Sequence, residues 1–285
     1  MYFKKFEELT FADHYMFEKV LNENQDVCKE LLERLLKIKI DHIEYPEIDK
    51  TISPYYETKG VRLDVYVKDS DKVFDIELQN ALDDDLPLRT RFYQSMIDTD
   101  NLLKGQDYSE LPTNFVIFIC KYDPIGKNLP IYTFENRCLE NLEISLNDKC
   151  IKKIYNANAY NQEKDLAISA FLEYVCNQKA VDDFTSKITS IVERIKTQEV
   201  NRKEYNSMNL HDRDNFLRGK KAGYCEGLSD GISQGISQGI SQGISQGEHQ
   251  AKIETAKNML QKNISVEVIS ECTGLSLDEI ENFSK

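Results

Sequence analysis

Two acidic side chains, Asp64 and Glu77, occupy positions of a predicted β-hairpin from which they could share a cation. The segment VRLDVYVKDSDKVFDIELQN, residues 61–80, alternates apolar and polar residues with the period of two that predicts two strands. Folding it about Ser70 and Asp71 places Asp64 opposite Glu77. Directly opposed Cβ atoms lie about 4.5–5.5 Å apart, so both carboxylates can reach one point. Because like charges repel there, the pair favours a divalent cation, and Mg²⁺ suits one or two carboxylates plus water and phosphate oxygens.

The same register places apolar residues together on the other face of the hairpin. The predicted apolar pairs are Val67–Phe74, Val65–Ile76 and Leu63–Leu78. On the acidic face, Arg62 is expected opposite Gln79. A hairpin whose polar face is simply solvated would show the same alternation, because acidic residues are common on exposed strand faces. The pattern alone therefore leaves two interpretations open, a cation-binding face and a solvated one.

The segments around the hairpin predict helices and strands that would hold it in place. Apolar residues at three- and four-residue spacing predict helix over residues 6–37 and from Glu163 to about Leu210. Residues 88–104 predict a helix that stops near Gly105. Further predictions are a strand buried on both faces at NFVIFIC, weaker strands at IKIDHIEY, LPIYTFENRC and KCIKKIYNA, and a loop at SPYYETKG. This order of elements predicts a mixed α/β sandwich.

Composition restricts the classes of protein to which the chain can belong. Its 285 residues are 40% apolar, which allows a sizeable core, and the formal net charge is −13. Contact with nucleic acid must therefore use a local basic patch, because phosphate binding depends on Lys and Arg. The seven cysteines include no CxxC pair and predict neither a zinc site nor disulfides. Lacking a signal core or a run of about 18 apolar residues, the chain is expected to be cytoplasmic and without membrane contact.

A glycine repeat follows the predicted α/β region. Glycine recurs at every fourth position from Gly219 to Gly247, and residues 231–246 repeat GISQ four times. A helix accommodates this period, although each interior Gly costs about 1 kcal/mol relative to Ala, so pairing through the Ile stripe would be needed to stabilise it. Two interpretations stay open: a flexible tether, or a helical element that makes the protein a homo-oligomer through residues 219–250.

The last 35 residues regain the patterning of a small helical module. A helix to about Lys262, a second over residues 265–272, a turn at Gly274 and a third helix from Ser276 resemble a helix-turn-helix. Ser276 and Glu279 predict a capping box at the start of the third helix. The tail has four Lys against six Asp and Glu, a net charge of −2. A DNA-reading helix usually has the opposite sign, so we favour a docking module over a DNA-binding one.

Several separated segments resemble one protein family. Asp64 on one predicted strand is followed, after twelve intervening residues, by the sequence ELQ (residues 77–79) on the adjacent strand, and a helix that carries an acid precedes both strands. This arrangement resembles the PD-(D/E)XK nuclease core. FADHYMFEKVL, LDVYVKDSDKVFDIELQ and PLRTRFYQSMIDTDNLLKGQDYSELPTNFVIFIC together resemble the Rpn family, recombination-promoting nucleases also described as PD-(D/E)XK nuclease family transposases. The resemblance covers roughly residues 6–210 and implies a restriction-endonuclease-like mixed sheet flanked by helices. With the change of composition after Leu217, we expect a nuclease-like domain at 1–217, the repeat at 218–250 and a helical module at 251–285.

The resemblance implies roles for three acids. Asp64 and Glu77 match the two metal ligands of the core, which would hold Mg²⁺ or another divalent cation such as Mn²⁺. Asp13 matches the acid on the first helix and could hold a second metal or an outer-shell water. His14 follows Asp13 and could approach the site, although a surface histidine of that helix is the favoured interpretation.

The resemblance also implies roles for four further residues. Gln79 stands where the wider superfamily has lysine. Glutamine can orient a water or a phosphate but brings no positive charge, so the metal would have to supply most of the activation. Arg89, Arg91 and Tyr93 lie on the following helix, in the stretch that resembles the family. The two arginines suit phosphate geometry and could offset developing charge, or they could belong to a solvated helix face.

The activity implied is Mg²⁺-dependent hydrolysis of phosphodiester bonds in double-stranded DNA by an endonuclease of a bacterial cytoplasm. A role in recombination, mobile-element biology or defence is implied by the resemblance alone. One alternative is a catalytically inactive nuclease fold that binds DNA without metal. Another is a regulator or oligomeric scaffold organised by the repeat and the tail. Loss of Glu77 would abolish the first activity and leave both alternatives intact.

Overall fold

The computed structural model describes residues 4–43, 47–53 and 60–282. It divides the chain into two compact units, Met1–Met208 and Asn209–Lys285. The helices are α1 (His14–Glu23), α2 (Gln25–Leu36), α3 (Leu86–Asn101), α4 (Leu166–Asn177), α5 (Asp183–Lys196), α6 (Glu199–Gln261), α7 (Val266–Thr273) and α8 (Leu277–Asn282). The strands are β1 (Glu47–Ile52), β2 (Val61–Asp69), β3 (Lys72–Gln79), β4 (Thr113–Cys120), β5 (Ile131–Phe134) and β6 (Cys150–Asn156).

A six-stranded mixed sheet forms the centre of the first unit. The strand order is β1-β2-β3-β4-β6-β5. β1, β2 and β3 are antiparallel neighbours, β4 runs parallel to β3 and β6, and β5 is an antiparallel edge strand. The predicted fold class, an α/β mixed sheet flanked by helices, is confirmed. β4 contains the continuous apolar run NFVIFIC. The run is apolar throughout because β4 lies between two strands and is covered on both faces of the sheet.

Helices cover both faces of this sheet. Successive residues of a strand point to opposite faces, so Phe115 and Ile117 of β4 join one apolar cluster while Val116 and Phe118 join another. The first cluster is completed by α1, α2, α4 and α5, and the second by α3. α1 and α3 therefore approach the β2–β3 hairpin from opposite faces of the sheet.

The turn of the hairpin and the adjacent register agree with the sequence prediction. Val67 pairs with Phe74 and Val65 with Ile76, as expected. Asp69 and Lys72 close the turn, and Ser70 has a φ of 44°, in the left-handed region that tight hairpin turns require. The alternation of residues 65–76 is therefore the pattern of one antiparallel ladder.

The expected pairing of Leu63 with Leu78 on one apolar face is wrong. The β2–β3 ladder ends at Val65, and Leu63 packs in the α3 cluster whereas Leu78 packs in the other. The reason lies at Asp64, whose side chain accepts a hydrogen bond from the Leu78 amide. The Asp64 side chain thus takes the place of a backbone hydrogen-bond partner for Leu78, and Leu63 and Leu78 pack on opposite faces of the sheet.

The strand predicted at IKIDHIEY is also wrong over residues 38–43, which form no strand. Ile40 and Ile43 are buried in the first cluster, and the Ile40 amide donates to a Glu33 side-chain oxygen instead of to a strand. Their spacing reflects packing beneath the sheet, and β1 begins only at Glu47. Most of the loop predicted at SPYYETKG, residues 54–59, lies outside the described residues.

The glycine repeat is helical. α6 extends through residues 231–246, and its four repeat isoleucines are 55–58% exposed. The conformation agrees with the helical interpretation of the repeat; self-association through it remains a proposal. Among the helices of the described residues, none has the length and hydropathy that crossing a membrane requires.

The tail forms the small helices that its sequence predicts. α7 ends at Gly274, whose φ of 69° gives the left-handed C-cap that favours glycine. At the start of α8, the Ser276 hydroxyl accepts from the Glu279 amide and the Ser276 amide donates to the Glu279 carboxylate. A local apolar cluster joins Ala256, Ile269, Leu275 and Ile280.

Candidate active site

Asp64 and Glu77 meet where the β2–β3 ladder ends. Glu77 Oε1 accepts a hydrogen bond from the Asp64 amide at 2.9 Å, and Asp64 Oδ2 accepts one from the Leu78 amide at 3.1 Å. The two acids are only 6% and 3% exposed. The interpretation of the acidic face as solvated is therefore wrong. Each carboxylate is oriented by the backbone of the facing strand and keeps a second oxygen for another partner.

Burial makes the charged forms of these acids costly. Burial and the neighbouring Asp64 raise the pKa of Glu77 to about 8. Burial also raises the pKa of Asp64, although His14 and the Leu78 amide oppose the shift. Asp75, two residues before Glu77, is fully buried, and burial with Glu77 and Asp64 nearby raises its pKa well above the ordinary value. Several carboxyl groups so close together cannot all ionise without a cation.

Helix α1 presents two further ligand-type side chains to Asp64. His14 Nε2 lies 3.3 Å from Asp64 Oδ1 and 3.6 Å from Glu18 Oε1. The donor atoms of these three residues all lie within 4.8 Å of one another. Burial, followed by the charges of Asp49 and Asp64, raises the pKa of Glu18 to about 8. The ionised form of Glu18 is therefore costly on the α1 side of the site, although the charge of Arg62 opposes the shift of its pKa.

The sequence prediction did not identify Glu18, and it favoured a surface position for His14 over an approach to the site. The imidazole of His14 is half exposed, yet its Nε2 faces Asp64. The available signal was their spacing, because residues four apart lie on one face of a helix. Glu18 also interrupts the apolar residues Phe17, Val20 and Leu21, where an acid is unusual.

Asp13 lies just before α1 and outside this group of donors. Its carboxylate accepts hydrogen bonds from the Thr10 amide at 2.8 Å, the Thr10 hydroxyl at 2.9 Å and the Lys4 ammonium at 2.6 Å. Asp13 precedes the first turn of α1, and its carboxylate is hydrogen-bonded to residues of the segment before the helix. The structure brings the next residue, His14, to Asp64 instead.

Arg89 of α3 approaches the pair from the other side. Its guanidinium donates to Asp83 at 2.7 Å, to Gln79 Oε1 at 3.1 Å and to the Tyr93 hydroxyl at 3.2 Å. It also lies 3.5 Å from Glu77 Oε2. One cation thus contacts the second oxygen of Glu77 and orients the amide of Gln79.

Gln79 is held at both ends of its amide. The oxygen accepts from Arg89, and the nitrogen donates to the Ala81 carbonyl at 2.9 Å. A side-chain amide nitrogen has two N–H groups, so one remains for a water or a phosphate oxygen. The expected pairing of Arg62 with Gln79 is wrong, because the β2–β3 ladder ends at Val65; on its other edge β2 pairs Arg62 with Thr51 of β1. The guanidinium of Arg62 forms an ion pair with Asp49.

An open groove of about 600 Å³ is lined in part by Arg89, the residue that contacts Glu77, although neither acid of the pair lines it. Its lining includes Arg62, Arg89, Arg91, Phe92 and Tyr93, together with Asp83 and Asp85. Arginine and aromatic side chains are the residue types that contact phosphates and bases. The three substrate-binding candidates of α3, Arg89, Arg91 and Tyr93, are thus brought to one groove, which Arg89 connects to Glu77.

Comparison with known proteins identifies one family. A family model described as PD-(D/E)XK nuclease family transposase matches residues 11–219. The matched range contains the whole sheet, Asp64, Glu77 and the groove residues of α3. No curated protein and no solved structure matches the chain.

Proposed function

Because the chain belongs to the PD-(D/E)XK nuclease family transposases, we propose that it is a metal-dependent endonuclease that hydrolyses double-stranded DNA. The observation that supports this most is the buried Asp64–Glu77 pair beside an arginine-lined groove. Two buried carboxylates that are each fixed by backbone amides need a proton or a cation to be stable. The resemblance to recombination-promoting nucleases extends the proposal to roles in recombination, mobile-element biology or defence.

Asp64 and Glu77 would hold the cation, and their oxygens fit Mg²⁺ or Mn²⁺. Each has one oxygen bound to a backbone amide, while the second oxygen of Asp64 lies 3.3 Å from His14 Nε2 and that of Glu77 lies 3.5 Å from Arg89. A bound divalent cation polarises the scissile phosphate and lowers the pKa of a water. The two backbone hydrogen bonds would keep the carboxylates in place during this chemistry.

Arg89 would supply the positive charge that the wider superfamily obtains from lysine. The Gln79 amide, at the position of that lysine, accepts a hydrogen bond from Arg89. The guanidinium would offset the negative charge that develops on the phosphate, because fixed charges aimed at the developing charge stabilise a transition state. The remaining N–H of Gln79 would orient the attacking water.

Arg91 and Tyr93 would hold the DNA beside the pair. Arg91 is exposed and lines the groove next to Phe92, a residue that is 37% exposed. These contacts would supply the local basic patch that the acidic net charge of the chain makes necessary. A phosphodiester in the groove would then lie between Arg91 and Glu77.

Plasmid cleavage tests this proposal directly. Purified full-length protein would be incubated with Mg²⁺, Mn²⁺, Ca²⁺ or EDTA, beside Asp64→Ala, Glu77→Ala and the isosteric Glu77→Gln. We expect cutting that requires Mg²⁺ or Mn²⁺ and falls by about 10²–10³-fold in each variant, equivalent to about 3–4 kcal/mol of transition-state stabilisation.

The exposed acid Glu143 lies outside the site, so Glu143→Gln is the matched control. Thermal melting would show that each variant is folded before its activity is compared. Folded Glu77→Ala that cuts at the parental rate would show that the assignment of this acid is wrong. DNA binding without metal and without cutting would favour the inactive nuclease fold.

The exposed isoleucines of the repeat favour a second property, self-association through residues 219–250. Ile232, Ile236, Ile240 and Ile244 recur every four residues on α6. A helical apolar stripe of this kind is stabilised by a partner helix. Replacing all four by Ser should convert an oligomer into a monomer in light scattering. A parent that is already monomeric at micromolar concentration would exclude this property.

A further inference from the structure

We propose that Leu88 and Phe92 of α3 form a contact surface for an unstacked DNA base, so that the groove prefers duplex DNA with an extrahelical base over a regular duplex. The inference rests on the proposed function, because it names the kind of DNA that the groove would take. Its supports are the exposure of two neighbouring apolar side chains, their place in the groove and the charged residues around them.

Leu88 and Phe92 are exposed although both are large and apolar. Leu88 is 55% exposed and Phe92 is 37% exposed. Neither belongs to an apolar cluster of the described residues, whereas Leu86 and Ile97 of the same helix are packed against the sheet. Single exposed apolar residues are ordinary on protein surfaces. Residues four apart on a helix are neighbours, however, so these two form one continuous apolar surface.

This apolar surface lies in the open groove that Arg89 connects to Glu77. Leu88 and Phe92 both line the groove. Leu88 directly precedes Arg89, and Phe92 directly precedes Tyr93, whose hydroxyl accepts a hydrogen bond from Arg89 at 3.2 Å. Concave sites with an apolar lining and a few polar groups are the usual form of a ligand site. The apolar surface is therefore adjacent along α3 to the residues that reach the candidate active site.

The charged residues of the groove indicate where a phosphate would lie. Arg91 is exposed and is three residues from Leu88, so it lies beside the apolar surface on the helix. Asp83 also lines the groove, but its charge is paired with Arg89 at 2.7 Å. Asp85 is exposed at the start of α3 and would repel a phosphate there. A ligand that fits these residues has a phosphate for Arg91 and an apolar face beside it, which describes a nucleotide.

A regular duplex does not offer such a face. Its bases are stacked on one another, so a protein reaches only their edges, the sugars and the phosphates. Leu and Phe side chains that contact DNA insert at an unstacked step or stack on a base outside the helix. A base that is already extrahelical spares the complex the free-energy cost of unstacking it. The residue types therefore predict a preference for duplexes that contain such a base.

Fluorescence anisotropy with the full-length protein tests this preference. Three labelled duplexes of the same sequence would be compared in Ca²⁺: a regular one, one with a single extrahelical adenine, and one with an abasic residue at that extra position. We expect the parent to bind the adenine bulge at least about 10-fold more tightly than the other two duplexes, because stacking on an aromatic side chain requires a base. The abasic duplex separates stacking from the greater flexibility of a bulged helix.

Substitutions at the apolar surface should remove the preference. Phe92→Ala and Leu88→Ala are expected to bind the adenine bulge and the abasic bulge within about 3-fold of each other, whereas Phe92→Tyr retains the ring and the parental preference. Phe134 of β5 is 43% exposed and lies outside the groove, so Phe134→Ala is the matched aromatic control. Leu166→Ala, at an exposed position of α4, is the aliphatic control. Thermal melting would show that each variant is folded.

A fluorescent base reports the contact itself. With 2-aminopurine at the extra position, saturating parent protein should quench the fluorescence, because stacking on a ring quenches this base. Saturating Phe92→Ala should leave the fluorescence close to that of the free DNA. Equal affinity of the parent for the adenine and abasic bulges would overturn the inference, as would a parental preference in folded Phe92→Ala and Leu88→Ala.

Failure of this inference and failure of the nuclease are distinguishable, because binding in Ca²⁺ is measured without cleavage. Plasmid cleavage that needs Glu77, with equal affinity for the three duplexes, would overturn the base contact and leave the nuclease standing. A preference for the adenine bulge that needs Phe92, in a protein that never cuts DNA, would support the base contact and count against the nuclease.

Discussion

The two flanks of the Asp64–Glu77 pair differ in how their charges are satisfied. On the α1 flank, made of His14 and Glu18, a buried carboxylate oxygen is left without a hydrogen-bond partner among the described residues. On the α3 flank, made of Gln79, Asp83, Arg89 and Tyr93, one guanidinium contacts all three other side chains and Glu77 as well. The first flank holds a buried acid whose ionised form is costly, and the second already contains its cation.

The difference indicates a division of labour. An unpaired buried acid weakens the metal-free fold but provides a ligand, whereas a fully paired guanidinium stabilises the fold and keeps its geometry. Phosphodiester hydrolysis uses both, a cation for activation and a fixed positive charge for the phosphate. Neutralising substitutions on the two flanks should therefore change stability in opposite directions.

Arg89→Ala should produce the largest effect and would break the α3 flank. Removing the guanidinium leaves Glu77, Asp83 and Gln79 without their shared donor. We expect plasmid cleavage to fall about 100-fold, in line with the loss of one preorganised donor. The free energy of unfolding, measured by urea denaturation, should fall by about 1–3 kcal/mol.

Arg89→Lys separates charge from geometry at the same position. A lysine retains one positive charge but cannot reproduce the fork of hydrogen bonds. Cleavage by Arg89→Lys should lie between that of the parent and that of Arg89→Ala. Parental activity in folded Arg89→Ala would show that this flank has no part in the reaction.

Glu18→Gln should have the opposite effect on stability. The pKa of Glu18 is about 8 in the folded protein and 4.5 as the ordinary value. The folded state thus holds a proton that the unfolded state has released, so the free energy of unfolding falls as the pH rises from about 4.5 to 8. Without metal at pH 8, Glu18→Gln should be more stable than the parent by roughly 1–3 kcal/mol.

Urea denaturation in EDTA between pH 5 and pH 8.5 measures this difference. The advantage of Glu18→Gln should vanish near pH 5, where the parental carboxyl is also mostly neutral. A variant that is less stable than the parent at pH 8 would contradict the view that the ionised form of Glu18 is costly in the folded protein.

Arg91→Ala should affect DNA binding more than chemistry. Arg91 is exposed in the groove, two residues from Arg89. Loss of one phosphate contact should weaken DNA binding several-fold and lower the slope of log affinity against log salt by about 1. Fluorescence anisotropy at several salt concentrations, with Ca²⁺ in place of Mg²⁺, measures both quantities. An unchanged salt slope would place the DNA elsewhere.

Asp75→Asn should have the smallest effect. Burial keeps the pKa of Asp75 well above its ordinary value, so the folded protein holds a neutral carboxyl that an amide resembles in shape. We expect the free energy of unfolding to change by less than about 1 kcal/mol near pH 6. A much larger loss, seen by urea denaturation, would indicate that Asp75 is ionised and belongs to one of the two flanks.

The local sequence pattern was sufficient to predict an element where a single kind of interaction determines the conformation of that segment. The run NFVIFIC identified the central strand β4, since a strand covered on both faces is apolar throughout. The period of two identified the hairpin and its register near the turn. Gly274, Ser276 and Glu279 identified the end of α7 and the start of α8, because both caps depend on residues within one turn.

Local pattern failed where a distant partner replaced a local one. Leu63 does not pack on the same face as Leu78, because the Leu78 amide donates its hydrogen bond to the Asp64 side chain and not to the backbone of β2. The run IKIDHIEY resembled a strand because its isoleucines are buried, although over residues 38–43 they pack beneath the sheet without a ladder. Burial has the same apolar signature in both cases, so the sequence could not distinguish them.

The sequence by itself determined the mixed α/β fold, the hairpin turn and the closeness of Asp64 to Glu77, since each depends on neighbouring residues of one or two strands. Only the tertiary structure decided which α1 residue reaches Asp64 and which cation reaches Glu77. Those contacts depend on the rotation of a helix about its axis and on its docking to the sheet. Packing over the whole core sets both, and no short pattern records them.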